Sequence, residues 1–428
     1  MIRVVLILIT GLITSFYFFP FELNVLPGVN TKMLMACIGL VCLAVQLIKN
    51  KIIQVSIEFL SLLTIAAGIS LMSLVSITLN QTPDTTYTTY ILSFFIWLSA
   101  AYAVCTLIKI VHGYINVQLI LEYLVGICIF QCVSAVVIDN LPAVQIWVDR
   151  HLALNQEFMH KVHRLYGVGA SLDVAGARFA AVLVGLGFYL AENNLSLSDG
   201  KRIYYVISFV TISIVGSMIS RTTLIGTVIG LVFVVVSYLF VKPTSQISAN
   251  RANALITWAS VIIIGVTLCI YLYNNNTDSR KLIRFAFEGF FSLVEKGHWE
   301  TSSTEKLLST MVVFPETLHT WIIGDGYFIN SRYDINYLGN TTDQGYYMGT
   351  DVGYLRFIFY FGAIGLILMI GLIVYSAILC IRHFKNERFV FIMALIVGLT
   401  VWIKVATDVF LYFALFLSAA SIQRKPLN

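Results

Sequence analysis

Apolar stretches long enough to cross a lipid bilayer recur from one end of this chain to the other, and they fix the fold class before any motif is read. A hydrocarbon core of about 30 Å takes about 20 apolar residues in helical form. Such stretches fall at roughly 3–20, 33–48, 57–79, 89–110, 117–138, 172–191, 203–219, 222–241, 255–273, 352–381, 388–404 and 406–422. Each must be helical, because lipid offers unpaired backbone groups no partner. A β-barrel would alternate apolar and polar residues over short segments, and these runs do not alternate. Composition agrees: 58% of the 428 residues are hydrophobic and 11% charged, with a mean hydropathy of +0.86, far from a soluble globular chain. The expectation is an all-α polytopic membrane protein of about twelve transmembrane helices, with residues 1–428 forming a single integral membrane domain.

Lys and Arg set the orientation. Lys49 and Lys51, Lys109, Lys201 and Arg202, Lys242 and Arg251, Arg382, Lys385 and Arg388, then Arg424 and Lys425 occupy alternate loops, which places both termini in the cytoplasm. The first run follows a single Arg3, continues through FYFFPFELNV and lacks a small-residue cleavage site, so it reads as a retained span rather than a removed signal peptide. The net charge of +5 is mostly this topological signal and argues for no nucleic-acid partner. All seven cysteines lie inside expected helices, so neither a disulfide framework nor a CxxC redox pair is implied.

Two non-cytoplasmic loops are long, at about 139–171 and about 274–351. The first, LPAVQIWVDRHLALNQEFMHKVHRLYG, carries Arg150, Lys161 and Arg164 among apolar residues and is expected to contain an amphipathic helix lying in the interface. The second has Trp299, Trp321 and many Phe and Tyr, enough apolar surface to fold. Within it RKLIRFAFEGFFSLVEKG has helical spacing, which puts Arg280, Arg284 and Glu288 on one face. A second short helix is expected from Ser302, with Glu305 completing a capping box. The glycines of GDGYF and GNTTDQGYYMG mark turns.

Both loops hold an excess of positive side chains where the positive-inside rule expects few. Arg164, Arg178, Arg221, the pair Arg280/Arg284, and Arg356 face this side. Arg178 and Arg356 stand about one or two turns inside their helices, where a charge needs a partner or an aqueous cavity. Guanidinium binds phosphate and diphosphate through a planar, permanently charged fork, so a cluster suits a lipid-linked pyrophosphate. Any single one of them could equally snorkel to headgroups or pair with a carboxylate. In SMISRTTLIG, Arg221 sits at a tight helical-hairpin tip, either as phosphate ligand or as topological punctuation. Asp173, Asp325, Asp351 and Glu288 are the candidate carboxylates. Asp351 stands at the mouth of a helix about one turn from Arg356, as a base that deprotonates a sugar hydroxyl would require, and equally as a helix N-cap would. His160 and His163 form an HxxH too short to define a metal site, and no metal or other cofactor is implied. Lys404 and Asp408 fit an internal ion pair or a proton relay.

HRLYGVGASLDVAGARFAAVL, then SRTTLIGTVIGL, then WIIGDGYF and TDVGYLRFIFYFGAIG in that order around one large outer loop resemble the Wzy-type O-antigen and exopolysaccharide polymerases. The resemblance covers roughly residues 160–370. It implies a GT-C-like, inverting, metal-independent glycosyltransferase in the bacterial inner membrane. Such an enzyme moves a growing glycan from undecaprenyl pyrophosphate to a new lipid-linked repeat unit at the periplasmic face. Its partners would be that donor, that acceptor, membrane lipids and, as a further candidate, a chain-length regulator. The resemblance assigns pyrophosphate binding to Arg164, Arg221, Arg280 and Arg284, and activation of the acceptor hydroxyl to Asp351. O-antigen ligases share the architecture but carry a His in an H-N-x-x-L pattern where this chain has Asp351-Val-Gly. A flippase or transporter would show internal repeats and midplane charges. A non-catalytic assembly partner would tolerate loss of each Arg.

Overall fold

The computed structural model describes residues 2–50, 56–153, 164–192, 198–240, 245–330 and 345–423. His160, Lys161 and His163, the start of the glycine turn at 339–344, and Lys51, Lys242, Arg424 and Lys425 lie outside them. Among the described residues the regular elements are helical, and extended pairing is limited to isolated bridges.

The chain runs through α1 (Ile2–Phe18), α2 (Thr31–Asn50), α3 (Ile57–Asn80), α4 (Tyr90–His112) and α5 (Val117–Asn140). It continues with α6 (Pro142–His151), α7 (Leu172–Glu192), α8 (Asp199–Ile219), α9 (Thr223–Phe240) and α10 (Ser245–Asn275). The short helices α11 (Thr277–Ala286), α12 (Glu288–Lys296), α13 (Ser302–Lys306) and α14 (Leu318–Ile322) follow. The last three are α15 (Gly353–His383), α16 (Arg388–Val401) and α17 (Phe410–Gln423). Seven of these, α3, α4, α5, α7, α8, α10 and α15, are long and apolar enough to cross a membrane, which is the build of a polytopic membrane protein. Five shorter apolar helices, α1, α2, α9, α16 and α17, fall on the other expected spans.

The chain divides into two compact units. One comprises Met1–Met35, Val104–Trp299 and Glu387–Val397; the other comprises Ala36–Ala103, Glu300–Asn386 and Gly398–Asn428.

In the first unit α7 and α9 pack through small residues. A Cβ on Gly226 would run into the Ala180 backbone, and one on Gly230 into the Leu183 carbonyl and the Phe209 ring. Gly187 meets Gly230 in the same way. In a membrane, where burial of apolar surface does not drive helix association, such close backbone approach lets van der Waals contact do so.

In the second unit α15 packs on α3, α14 and α17, and it is broken where the apolar pattern reads as continuous. Phe361 leaves helical geometry (φ −136°) and Gly362 has φ +71°. The carbonyls around the break are satisfied from outside the helix. Asp325 N donates to Phe359 O at 2.6 Å, Gly326 N to Tyr360 O at 3.2 Å, and Ser76 Oγ to Tyr360 O at 2.7 Å. Gly362 and Gly324 (φ +86°) have to be glycine here, because a Cβ on either would strike the backbone of the other segment.

Three local expectations need correcting. Arg280, Arg284 and Glu288 do not share a helical face, because α11 ends at Ala286 and the chain turns at Phe287 (φ −113°, ψ 24°) before Glu288 opens α12. The cap of α13 is Thr301, whose Oγ1 accepts from Thr304 N at 3.1 Å, one residue before the expected Ser302. Asp351 is not a helix cap. Val352 occupies the cap position of α15, and the hydroxyl of Thr350 accepts from Val352 N at 3.2 Å.

Candidate functional site

In the first unit, the segment after Arg164 is held by side chains that reach its backbone. Gln131, fully buried, donates through Nε2 to Val168 O at 2.7 Å, and Gly167 N donates to Ala170 O at 2.8 Å. Gly167 and Gly169 lie too close to Gln131 and to the Phe19 backbone to admit a Cβ. The R-x-x-G spacing of Arg164 and Gly167 is therefore a packing requirement that fixes where Arg164 emerges.

The tight α7/α9 contact brings the turn Ser220-Arg221-Thr222 over the start of α7. Asp173 Oδ1 accepts from Ser220 Oγ at 2.7 Å and from Thr222 Oγ1 at 2.8 Å. Gly176 leaves the space that Ser220 occupies. With one residue between two hydroxyls bound to the same carboxylate oxygen, Arg221 has little freedom in depth. Its side chain forms an ion pair with Glu288 and its guanidinium carbon lies 4.2 Å from the Phe285 ring centroid. The guanidinium of Arg164 stands over the same ring at 4.6 Å. Burial lowers the Arg221 pKa, the Arg164 charge adds to this, and Glu288 opposes it. A guanidinium stays protonated under such pressure, so Arg221 keeps its charge, and an anionic ligand there would compete with Glu288.

Arg164, Asp173, Arg221 and Glu288 are thus brought together. Arg178 lies further along α7, beside the Phe19 ring at 5.7 Å. Arg280 and Arg284 take other partners. Arg280 Nε donates to Tyr273 O at 2.9 Å, and Arg284 makes a bidentate pair with Glu295 at 2.9 and 2.8 Å. That pairing holds Glu295 below the usual carboxylate range.

The second unit carries a separate cluster around Arg356, which is buried in the first turn of α15. Its guanidinium carbon lies 3.6 Å from the Phe328 ring centroid and 3.4 Å from that of Tyr346, so the planar group is sandwiched between two rings. Desolvated cation–π contacts of this kind are worth about 2 kcal/mol. The Asp351 charge acts on the same guanidinium. Asp325 accepts from Thr320 Oγ1 at 2.7 Å and from Tyr347 OH at 3.1 Å, while burial pushes its pKa up. Asp408 accepts from Phe410 N at 3.1 Å at the start of α17, and Lys404 lies in the same non-helical stretch.

Several supporting residues gave no clear signal in sequence. Asp84, in TPDTTY, accepts from Phe328 N at 2.7 Å and Ile329 N at 3.3 Å, and so fixes the backbone beneath Arg356. Tyr360 OH donates to Asp84 O at 2.8 Å. Phe285, Phe328 and Tyr346 are aromatic residues in aromatic-rich segments, and nothing marks them as guanidinium platforms. The short spacing of Ser220 and Thr222 around Arg221 was visible and could have named both as positioning residues.

Searches against known protein families, curated proteins and solved structures found no match to this chain.

Proposed function

We propose that this protein is a membrane glycosyltransferase that polymerises undecaprenyl-pyrophosphate-linked repeat units into O-antigen or a related surface polysaccharide. In this reading the chain has twelve spans, a GT-C-like architecture and cytoplasmic termini. It lies in the bacterial inner membrane, with the Arg164–Arg221 cluster on the periplasmic side. The observation that carries the reading is the placing of Arg164 and Arg221 at one aromatic ring, 4.6 and 4.2 Å from the Phe285 centroid. Two rigidly presented, permanently charged forks are suited to a diphosphate.

Pyrophosphate is already a good leaving group, so the chemistry needs positioning and charge stabilisation more than covalent catalysis. Arg221, fixed through Asp173, and Arg164 stabilise the charge that develops on the departing pyrophosphate. Asp351, in the second unit, is the residue that the resemblance assigns to activation of the acceptor hydroxyl, and Arg356 is a candidate substrate-binding residue of the same unit.

Cells lacking their own polymerase, supplied with this chain, should convert single repeats into a ladder of polymer on a gel. Arg221→Ala and Asp351→Asn, expressed at parental level, should leave only the single repeat. Normal ladders from both variants would refute the assignment of these residues.

A further inference from the structure

Arg164 helps line a polar cavity of about 220 Å³, together with Asp139, Asn140 and Gln145 from the end of α5 and α6 and Asn276, Asp278 and Lys281 from the start of α11. Tyr166 and Leu282 add apolar surface to the lining. Its groups are fixed by bonds within the first unit. Asn140 Nδ2 donates to Val136 O at 2.9 Å, Asn276 Oδ1 accepts from Asp278 N and Ser279 N at 2.9 Å, and Tyr166 OH donates to Asp149 Oδ1 at 2.8 Å. Lys281 Nζ pairs with Asp278 at 3.0 Å. Arg164 belongs to both places, since it lines this cavity and also stands over Phe285 next to Arg221.

We infer that this cavity is a subsite for one neutral monosaccharide, the sugar attached directly to the pyrophosphate, and the inference rests on the pyrophosphate reading of Arg164 and Arg221. Three features lead to it. The volume falls below the range of about 300–1,000 Å³ typical of drug-sized ligands, so it suits a single ring and not an oligosaccharide. The lining mixes carboxylates, amides and one ammonium, which can accept from and donate to adjacent hydroxyls, while Tyr166 and Leu282 offer an apolar surface to a sugar face. The third feature is charge. The carboxylates of Asp139 and Asp278 are matched by the cations of Lys281, paired with Asp278, and Arg164. The lining is formally neutral, and with Arg164 engaged by the pyrophosphate the remaining unpaired charge in it is the Asp139 carboxylate, which an acidic sugar would meet as a like charge.

Binding of short, soluble probes to the purified full chain tests the inference by calorimetry. The probes are geranyl pyrophosphate and geranyl pyrophosphate carrying glucose, galactose, N-acetylglucosamine or glucuronic acid. The parent should bind at least one neutral-sugar probe about tenfold more tightly than geranyl pyrophosphate, and the glucuronic acid probe no more tightly. Asp139→Asn and Gln145→Ala should each remove most of that gain while leaving geranyl pyrophosphate affinity unchanged, which shows that the fold and the anion seat are intact. If the parent binds geranyl pyrophosphate but gains nothing from any neutral sugar, or prefers glucuronic acid, the sugar subsite is overturned and the pyrophosphate reading stands. A gain that survives in both variants overturns it equally. If the parent binds none of the probes, the pyrophosphate reading itself fails and the subsite falls with it.

Discussion

Arg164 and Arg221 approach the Phe285 ring with their guanidinium carbons 4.6 and 4.2 Å from its centroid. One residue is held by the glycine-rich entry to α7 and the other by a hairpin tip tied to Asp173. The Arg164 charge adds to the burial cost of the Arg221 charge, and the paired Glu288 opposes it.

The two guanidiniums need their planar geometry as well as their charge. Arg221→Lys keeps the charge and loses the fork and much of the stacking on Phe285. A loss of about 1–2 kcal/mol is expected, a fall of about tenfold in the rate of polymer formation. Phe285→Leu should cost less, because it removes the platform and keeps both guanidiniums. Rates measured on membranes with matched protein levels check the order.

Asp173 acts on position. Replacing it with Ala strips the carboxylate acceptor from Ser220 and Thr222 and leaves two hydroxyls without it, at a cost of about 1–3 kcal/mol in stability. A thermal-unfolding midpoint lowered in detergent, together with weaker binding of inorganic pyrophosphate, is the expected pair of results.

Burial raises the Asp325 carboxyl above its ordinary value, with the Thr320 and Tyr347 hydroxyls opposing the shift. The folded state therefore holds this proton more tightly than the unfolded chain does. Its contribution to stability is complete below the unfolded pKa of about 3.9 and is lost as pH rises through the raised folded value. Asp325→Asn should flatten that acid-side decline in unfolding profiles taken across this window. An unchanged profile would show that Asp325 does not govern it.

The break in α15 is as demanding as any charged group. Gly362→Ala would place a methyl against Ile322 O in a backbone region that costs a non-glycine residue about 1–3 kcal/mol before any clash is counted. Loss of folded protein on size-exclusion chromatography is expected. Gly126→Ala in α5, where an added Cβ meets nothing within 4 Å, should leave the elution profile unchanged.

Much of the helical framework is legible in the sequence because the bilayer constrains it so strongly. Twelve apolar runs coincide with twelve described helices, seven of them long enough to cross. The loop helices were visible only in outline. Apolar spacing ran on through Phe287, since a turn made by an aromatic residue lacks the Gly or Pro that normally marks one. At Phe361 and Gly362 a glycine is present, but RFIFYFGAIG reads as unbroken apolar helix, and the contacts that support the break come from Ser76 and the GDG segment. The charged clusters were half legible. An Arg inside a span announces itself by its cost, but its partners are set by tertiary packing. Arg284 found Glu295, and Glu288 went to Arg221 instead. The small-residue spacing of Gly226 and Gly230 did hold the information that α9 packs closely.

The most direct test of the central claim uses the purified chain alone in lipid nanodiscs. It is given a synthetic undecaprenyl-pyrophosphate-linked repeat unit and no other protein, and product length is read by mass spectrometry. Polymerase activity predicts dimers and longer products, one undecaprenyl pyrophosphate released per bond formed, and inverted configuration at each new linkage. Arg221→Ala should give none of these. Unchanged substrate with every repeat unit supplied, or longer products formed with retained configuration, would contradict the account.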